Sequence, residues 1–186
     1  MGVSTTASAP AATAMGAYTV ASANNAMAIG HTTTASGNSA FSWGKYTEAS
    51  EAGAISGGYH PNQVSIFAKG KGSIAIGSAE GKGTITANGR GAIAMGLCDT
   101  QILAEGPGTI SMGRDNYARG YGAVALGSYN TVVADNSVIA GVNSYCYAPR
   151  SYVEGSANYA GARGFYLVGV ADTDDGLGLN FYFDSV

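Results

Sequence analysis

Charge is the first thing this chain is short of. Asp, Glu, Lys and Arg make up only 11% of its 186 residues and leave a net charge of −3, so no basic surface for nucleic acid is expected. There are two cysteines and two histidines. That leaves no disulfide framework, and neither His31 nor His60 has the carboxylate or Ser spacing of a metal site or a triad. Long apolar runs are missing as well. None approaches the roughly 18 residues of a membrane-spanning helix, so no membrane insertion is expected. The opening Met-Gly-Val-Ser-Thr-Thr has neither the basic start nor the apolar centre of a secretion signal. Its loose fit to a myristoylation pattern is what a Ser/Thr-rich segment gives by chance. No P-loop, dinucleotide fingerprint or zinc spacing occurs, and no cofactor is expected.

Glycine, by contrast, is abundant at 29 residues, and its placement is regular. A Gly preceded by an apolar triplet recurs every 14 residues at Gly113, Gly127, Gly141, Gly155 and Gly169, and again at Gly16, Gly30, Gly44 and Gly58. Between the two runs the intervals are 19, 19 and 17, through Gly77 and Gly96. A fixed short period over nearly the whole chain predicts an ordered solenoid. Fourteen extended residues span about 46 Å, enough for two strands and two tight corners, so each coil should be flat and should stack on the next at about 4.7–4.9 Å.

The positions before each anchor glycine show which face is which. The third residue before it is large (Met27, Phe41, Ile55, Ile74, Ile93, Ile110, Val124, Val138). The second is small through the first eight coils (Ala14, Ala28, Ser42, Ser56, Ala75, Ala94, Ser111, Ala125). The residue directly before it is mostly large again, as in Ile29, Trp43, Ile76, Met95, Met112 and Leu126. In the second strand, Ala21, Ala35, Ala49, Ala118, Val132, Cys146 and Ala160 mark another small face. A flat coil encloses only small side chains, so the small faces should point in and the large row out. An exposed apolar stripe of that length requires a partner, and identical copies are the simplest one. The predicted contact is lined by Ile29, Phe41, Trp43, Ile74, Ile76, Ile93, Met95, Met112 and Leu126.

Cys98 and Cys146 lie three coils apart, about 14 Å in stacking distance, too far to bridge; Cys146 reads as a packed thiol. The extra residues of the long intervals fall just after Gly58, Gly77 and Gly96, at one corner of three successive coils. They include Tyr59-His60-Pro61-Asn62-Gln63, Ser78-Ala79-Glu80-Gly81-Lys82 and Leu97-Cys98-Asp99-Thr100. Stacked loops serve either as a binding face or as tolerated surface insertions, and His60, Asn62, Glu80 and Asp99 are the candidate contacts. Tyrosines also recur, at Tyr117, Tyr145 and Tyr159 four residues after the anchor and at Tyr18, Tyr46 and Tyr129 two after it. Such rows stabilise a sheet by stacking or bind sugars and proteins.

The units Met27-Ala-Ile-Gly, Ser73-Ile-Ala-Ile-Gly, Ala92-Ile-Ala-Met-Gly and Ala123-Val-Ala-Leu-Gly closely resemble the head repeats of YadA-like trimeric autotransporter adhesins, over roughly residues 10 to 170. The resemblance implies an all-β fold, a left-handed parallel β-roll (solenoid) of 14-residue coils that is homotrimeric, with a surface-exposed adhesive or fibre role. The expected organisation is an N-terminal arm or frayed end at 1–10, a β-roll repeat domain at 11–169 and a C-terminal closing segment at 170–186. Similar repeats occur in bacteriophage fibre and other virion proteins, which assemble in the cytoplasm. The lack of a signal peptide, a heptad stalk and barrel strands, with a Met start and an apparent finish, favours a virion fibre or surface protein. Its partners would be itself and other virion proteins or a cell-surface receptor. The alternative is the head of a secreted adhesin that binds host or matrix ligands.

Other readings have weaker support. No cluster of acidic residues recurs at one level as a polysaccharide-cleaving solenoid would need, so no enzyme is expected. Thr34 and Thr131 share a position without making the regular rows of an ice-binding array. Asp172-Thr173-Asp174-Asp175-Gly176 resembles the start of a calcium loop but lacks the distal Glu, and reads as a solvated acidic turn. Leu177, Leu179, Phe181 and Phe183 alternate as in a strand closing the last coil. In the last coils the pattern inverts. Ile139, Val153 and Leu167 occupy the small position, and Ala140, Glu154 and Val168 the large one. The expectation is a splayed C-terminal end that exposes Glu154 among Tyr145, Tyr152, Tyr159 and Tyr166, a candidate partner-binding group.

Overall fold

Each 14-residue unit folds as one flat coil, because its apolar and small residues alternate with period two and its corners carry residues that tolerate a left-handed backbone. The computed structural model describes residues 2–61, 66–161, 165–170 and 180–182. Among these there is no helix. Each coil gives one strand ending near its anchor glycine and a second after the corner, and both pair in parallel with the equivalent strands one coil on. Like residues lie over like: Ile93↔Ile110, Ala94↔Ser111, Met95↔Met112 and Gly96↔Gly113 in one pair of strands. The fold is an all-β parallel solenoid.

The register is held by close approach at the corners. A side chain added at Gly16, Gly30, Gly44, Gly58, Gly77, Gly96, Gly113 or Gly127 would collide with the carbonyl oxygen of the anchor glycine one coil on. Most of these glycines also have φ between 104 and 155°, where other residues are strained. Two residues later the corner turns again: Tyr18, Thr32, Tyr46, Asp115, Tyr129, Asn143 and Ala157 have φ between 49 and 58°.

The interior is as the alternation predicts. Ala28, Ser42, Ser56, Ala75, Ala94, Ser111 and Ala125 are fully buried, and so are Ala21, Ala35, Ala49, Ala118, Val132, Cys146 and Ala160. Both cysteines are buried free thiols. The long coils add something that the triplet pattern does not reveal. Ile66, Ile85 and Ile102, stacked in register with Thr47, fill the space opened by the longer corner.

Two expectations are corrected. The expected arm at 1–10 is, in its described residues, part of the solenoid: Gly2–Val3 and Thr6–Ala7 pair in parallel with Thr13–Ala17 and Val20–Ala21, in the same register as later coils. Gly2 lies 14 residues before Gly16 and has anchor geometry, φ 147°. The C-terminal coils do not splay, because Ala125↔Ile139↔Val153↔Leu167 and Gly127↔Gly141↔Gly155↔Gly169 run on without a break. Ile139 and Val153 are fully buried and Leu167 nearly so. They fit because the corner column there carries Ser144 and Asn158, whose side chains bond to backbone instead of filling the interior. Strand Asn180–Tyr182 pairs antiparallel with Phe165–Val170, on the edge that the preceding coil does not use. The acidic stretch 172–176 lies outside the described residues.

A polar column ties the C-terminal coils together. Asn130 Nδ2 donates to the Leu126 carbonyl (2.9 Å) and the Gly141 carbonyl (2.7 Å), while its Oδ1 accepts from the Ser144 backbone N–H (3.0 Å). Asn116 makes the same set of bonds one coil earlier. In the N-terminal coils Thr19 and Thr33 occupy this corner, with buried hydroxyls that find no partner.

Substitutions at two glycines separate close packing from backbone freedom. Gly96→Ala should cost more than about 4 kcal/mol, the range of gross core disruption. Gly91→Ala, at φ 66° with open space around it, should cost only about 1–2 kcal/mol. Equilibrium urea unfolding reads both, and equal losses would refute the close-packing account. In the polar column, Asn130→Ala strands the buried Ser144 N–H and two part-buried carbonyls and should lose about 2–3 kcal/mol. Thr33→Val removes an unpaired hydroxyl and should be neutral or stabilising.

Candidate functional site: the outward apolar face

The first-strand stack presents two apolar columns to the outside. One carries Phe41, Ile55, Ile74, Ile93, Ile110, Val124 and Val138, and the other Ile29, Trp43, Ile76, Met95, Met112 and Leu126. All are half-buried or exposed in the single chain, while the small residues between them are buried. The structure therefore brings the nine residues predicted for the contact together on one face, in ladder register across six or more coils. Its single interruption is Gly57, which has a physical reason. The Trp43 indole lies across it, where any side chain at Gly57 would collide with the ring. Trp43 also stacks on Phe41, centroids 4.8 Å apart at 27°. The gap in the column is filled by the preceding coil.

At its C-terminal end this face turns polar. Glu154 is exposed in the column of Leu126 and Ala140, and accepts a hydrogen bond from the Tyr152 hydroxyl (3.1 Å). That bond to the carboxylate raises the Tyr152 pKa above its usual value. Tyr166 stacks on Tyr152, centroids 5.1 Å apart. Tyr145 and Tyr159 pair on the second-strand stack instead, so the four tyrosines do not form one group. With Tyr145 and Tyr159 comes Tyr147, which the sequence reading passed over because it lies six residues after its anchor rather than four.

The corner candidates also divide. The described parts of the three insertions stack at one corner, since Tyr59↔Ser78↔Leu97 and Ala79↔Cys98 are in register. His60, however, is fully buried, and its Nε2 donates to the Gly83 carbonyl at 3.0 Å; it braces two neighbouring loops and is not a surface contact. Asn62 lies outside the described residues. Glu80 is exposed, and Asp99 forms an ion pair with Arg114.

The insertion corner is closed by a residue the motif search missed. Asp115 is almost wholly buried, and its Oδ1 accepts from the backbone N–H groups of Asp99 (3.1 Å), Thr100 (2.8 Å) and Gln101 (3.0 Å) and from the Thr100 hydroxyl (2.9 Å). It stands at the left-handed corner where other coils carry Tyr, Thr, Asn or Ala, and anchors the last long corner to the first short coil. Burial, and then the nearby Asp115 charge, push the Cys98 thiol up to about 12. Among the described residues no group of three or more His, Cys, Asp or Glu could hold a metal ion, and no helix is long and apolar enough to cross a membrane.

Two stretches, residues 21–42 and 104–130, match the YadA head domain repeat. Each contains the Gly-anchored strand and corner described above, and the chain carries YadA-like head repeats. No curated protein matches the chain.

The Cys98 environment gives a pH dependence of known sign. Its folded-state pKa is raised from 9.0 to about 12, so the protonated thiol is favoured by folding. Its contribution is complete below about pH 9 and is lost as pH rises towards 12. The urea midpoint should fall between about pH 8 and pH 10, and Cys98→Ala should shrink that fall, since tyrosine ionisation is common to both proteins. An identical fall in the variant would remove Cys98 from the account.

Proposed function

We propose that this chain is a non-enzymatic, surface-displayed head that acts as a homotrimer with structural and adhesive duty. One observation supports it above the others: the outward apolar face from Ile29 to Leu126, interrupted only at Gly57, is too long and too apolar to be left to solvent. A copy packed on it by threefold symmetry buries both columns, with like residues meeting around one axis. The YadA head repeats support the same arrangement, because heads of that type are built as trimers on cell surfaces.

Stacked strands make each protomer a rod that deforms little, since every coil shares its ladder with two neighbours. Adhesion then falls to what the rod displays on the surfaces not spent on self-contact. The head-repeat match supports a bacterial surface. A virion fibre would use the same rod, and mass spectrometry of purified particles against protease-shaved cells separates the two.

Sedimentation of the purified chain tests the assembly. The expected mass is three times that of one chain, and Ile76→Asp should dissociate or unfold it, because three carboxylates would be buried near one axis. A stable, soluble monomer at micromolar concentration would overturn the proposal.

A further inference from the structure

The first strand of each coil crosses the apolar face from a tip, where the chain turns in from the second strand, to the anchor corner. The face therefore has two edges. On the anchor edge the long corners carry residues 78–82 and 97–100, with Glu80, Lys82, Leu97 and Asp99 exposed. Glu80 opens a tight turn in which the Gly83 N–H bonds back to its carbonyl (2.8 Å). On the tip edge the turns stack in one column, the Gly91 N–H donating to the Lys71 carbonyl and the Gly108 N–H to the Arg90 carbonyl, both at 2.9 Å. Lys71 and Arg90 are exposed there on successive coils. Among the described residues no ion pair engages Glu80, Lys71 or Arg90.

The tips of the long coils have a feature that their own fold does not call for. They read Gly70-Lys-Gly72, Gly89-Arg-Gly91 and Gly106-Pro-Gly108. The first glycine of each is fixed by packing, because a Cβ at Gly70, Gly89 or Gly106 would strike the backbone of the next tip. The second is not. Gly72, Gly91 and Gly108 have φ of 63–67°, and nothing else in the chain comes within 4 Å of an added Cβ. At the same position in other coils Asn25, Ser39, Asn136 and Arg150 hold φ of 53–60°. Backbone comfort alone would put glycine at every tip. Instead the glycines form one run, from Gly53 to Gly122, centred on the three long coils.

We propose that in the trimer the long corners of one protomer seat on the glycine-flanked tips of the next, with Glu80 meeting Arg90. The inference rests on the threefold packing proposed above and adds to it a second contact, along the edges of the apolar face. Cyclic packing is heterologous: three protomers that turn the same face to one axis bring the anchor edge of each against the tip edge of its neighbour. With the rods parallel, each coil meets its own counterpart, so 78–82 face the tip of Arg90 and 97–100 the tip of Pro107. The room left by the missing side chains then lies at the levels where the opposite corner is enlarged. The chemistry of the two edges also matches. The Glu80 carboxylate gains an arginine opposite and Lys71 one coil away, a charge-assisted pairing that neither side has within its own chain. Exposed Leu97 gains Pro107. Rim contacts of this kind fix register and rotation more than they add affinity.

The test uses the whole chain. Arg90→Lys keeps the charge and supplies an amine, which a carbodiimide joins to the Glu80 carboxylate only where the two touch. Denaturing gels should show linked dimers and trimers, peptide mass spectrometry should place a link between positions 80 and 90, and Glu80→Gln should remove it. In sedimentation equilibrium, Glu80→Arg should weaken the association of three chains about tenfold or more, and adding Arg90→Glu should recover most of the loss. Lys82→Gln is the control and should change neither readout. Gly108→Asn, which the backbone accepts as it does Asn25 and Asn136, should weaken association comparably by filling the seat. Circular dichroism establishes that each variant keeps its fold. A trimer in which positions 80 and 90 link only within one chain or not at all, and in which charge reversal at Glu80 has no effect, overturns the inference and leaves the threefold packing standing. A monomer overturns both.

Discussion

Everything in this molecule depends on backbone meeting backbone at the anchor corners. From Gly2 to Gly155, each anchor glycine directs its missing side chain at the carbonyl of the anchor one coil on. A single methyl group at one anchor would separate two coils and, with them, both strand ladders. This constraint turns a loose preference for glycine in turns into an absolute period. It also brings every other residue into register, so that Ile lies on Ile and Ala on Ala along the rod.

The interior follows a second rule, constant volume rather than constant identity. In the long coils the bulk comes from the corner column, at Ile66, Ile85 and Ile102; further on it moves to Val132 and to the strand positions Ile139 and Val153. Where one column swells, the other is Ala, Ser or Asn. The polar members gain a use, since Asn116, Asn130 and Asn158 satisfy corner carbonyls in adjacent coils that no strand could reach. Thr19 and Thr33 are too short for that, which accounts for their orphaned hydroxyls. Nature's solution in the later coils is one atom group longer.

This second rule is also where the sequence was hardest to read. The period, the inward small residues and the outward apolar row were all legible, because each depends on spacing within one coil. Gly2 was missed because a Ser/Thr-rich stretch disguised the register, although its distance from Gly16 was there to be counted. The splayed end was mistaken because Ile139, Val153 and Leu167 were judged against Ala at the same position, without the compensating change across the coil. His60 looked like a loop residue and is buried, since only the neighbouring insertion's Gly83 carbonyl reveals its role. Gly57 could not be interpreted from the sequence at all, because what fills its place is an aromatic ring from a different position.

The small interior has an energetic consequence that links the fold to its outer faces. Ordering a residue costs roughly 1–2 kcal/mol of backbone entropy, whereas burying a methyl-sized group returns only about 0.8 kcal/mol. Coils lined by Ala21, Ala28, Ala35 and Ala40 therefore recover little from their own core. Apart from Ile66, Ile85, Ile102, Val132, Ile139 and Val153 inside, the large residues of the first-strand stack, worth roughly 1.5–3 kcal/mol each when fully buried, lie on the outward face, where one chain by itself leaves them half in water. A rod built this way keeps its main reserve of apolar energy outside the fold and releases it only on contact with another surface.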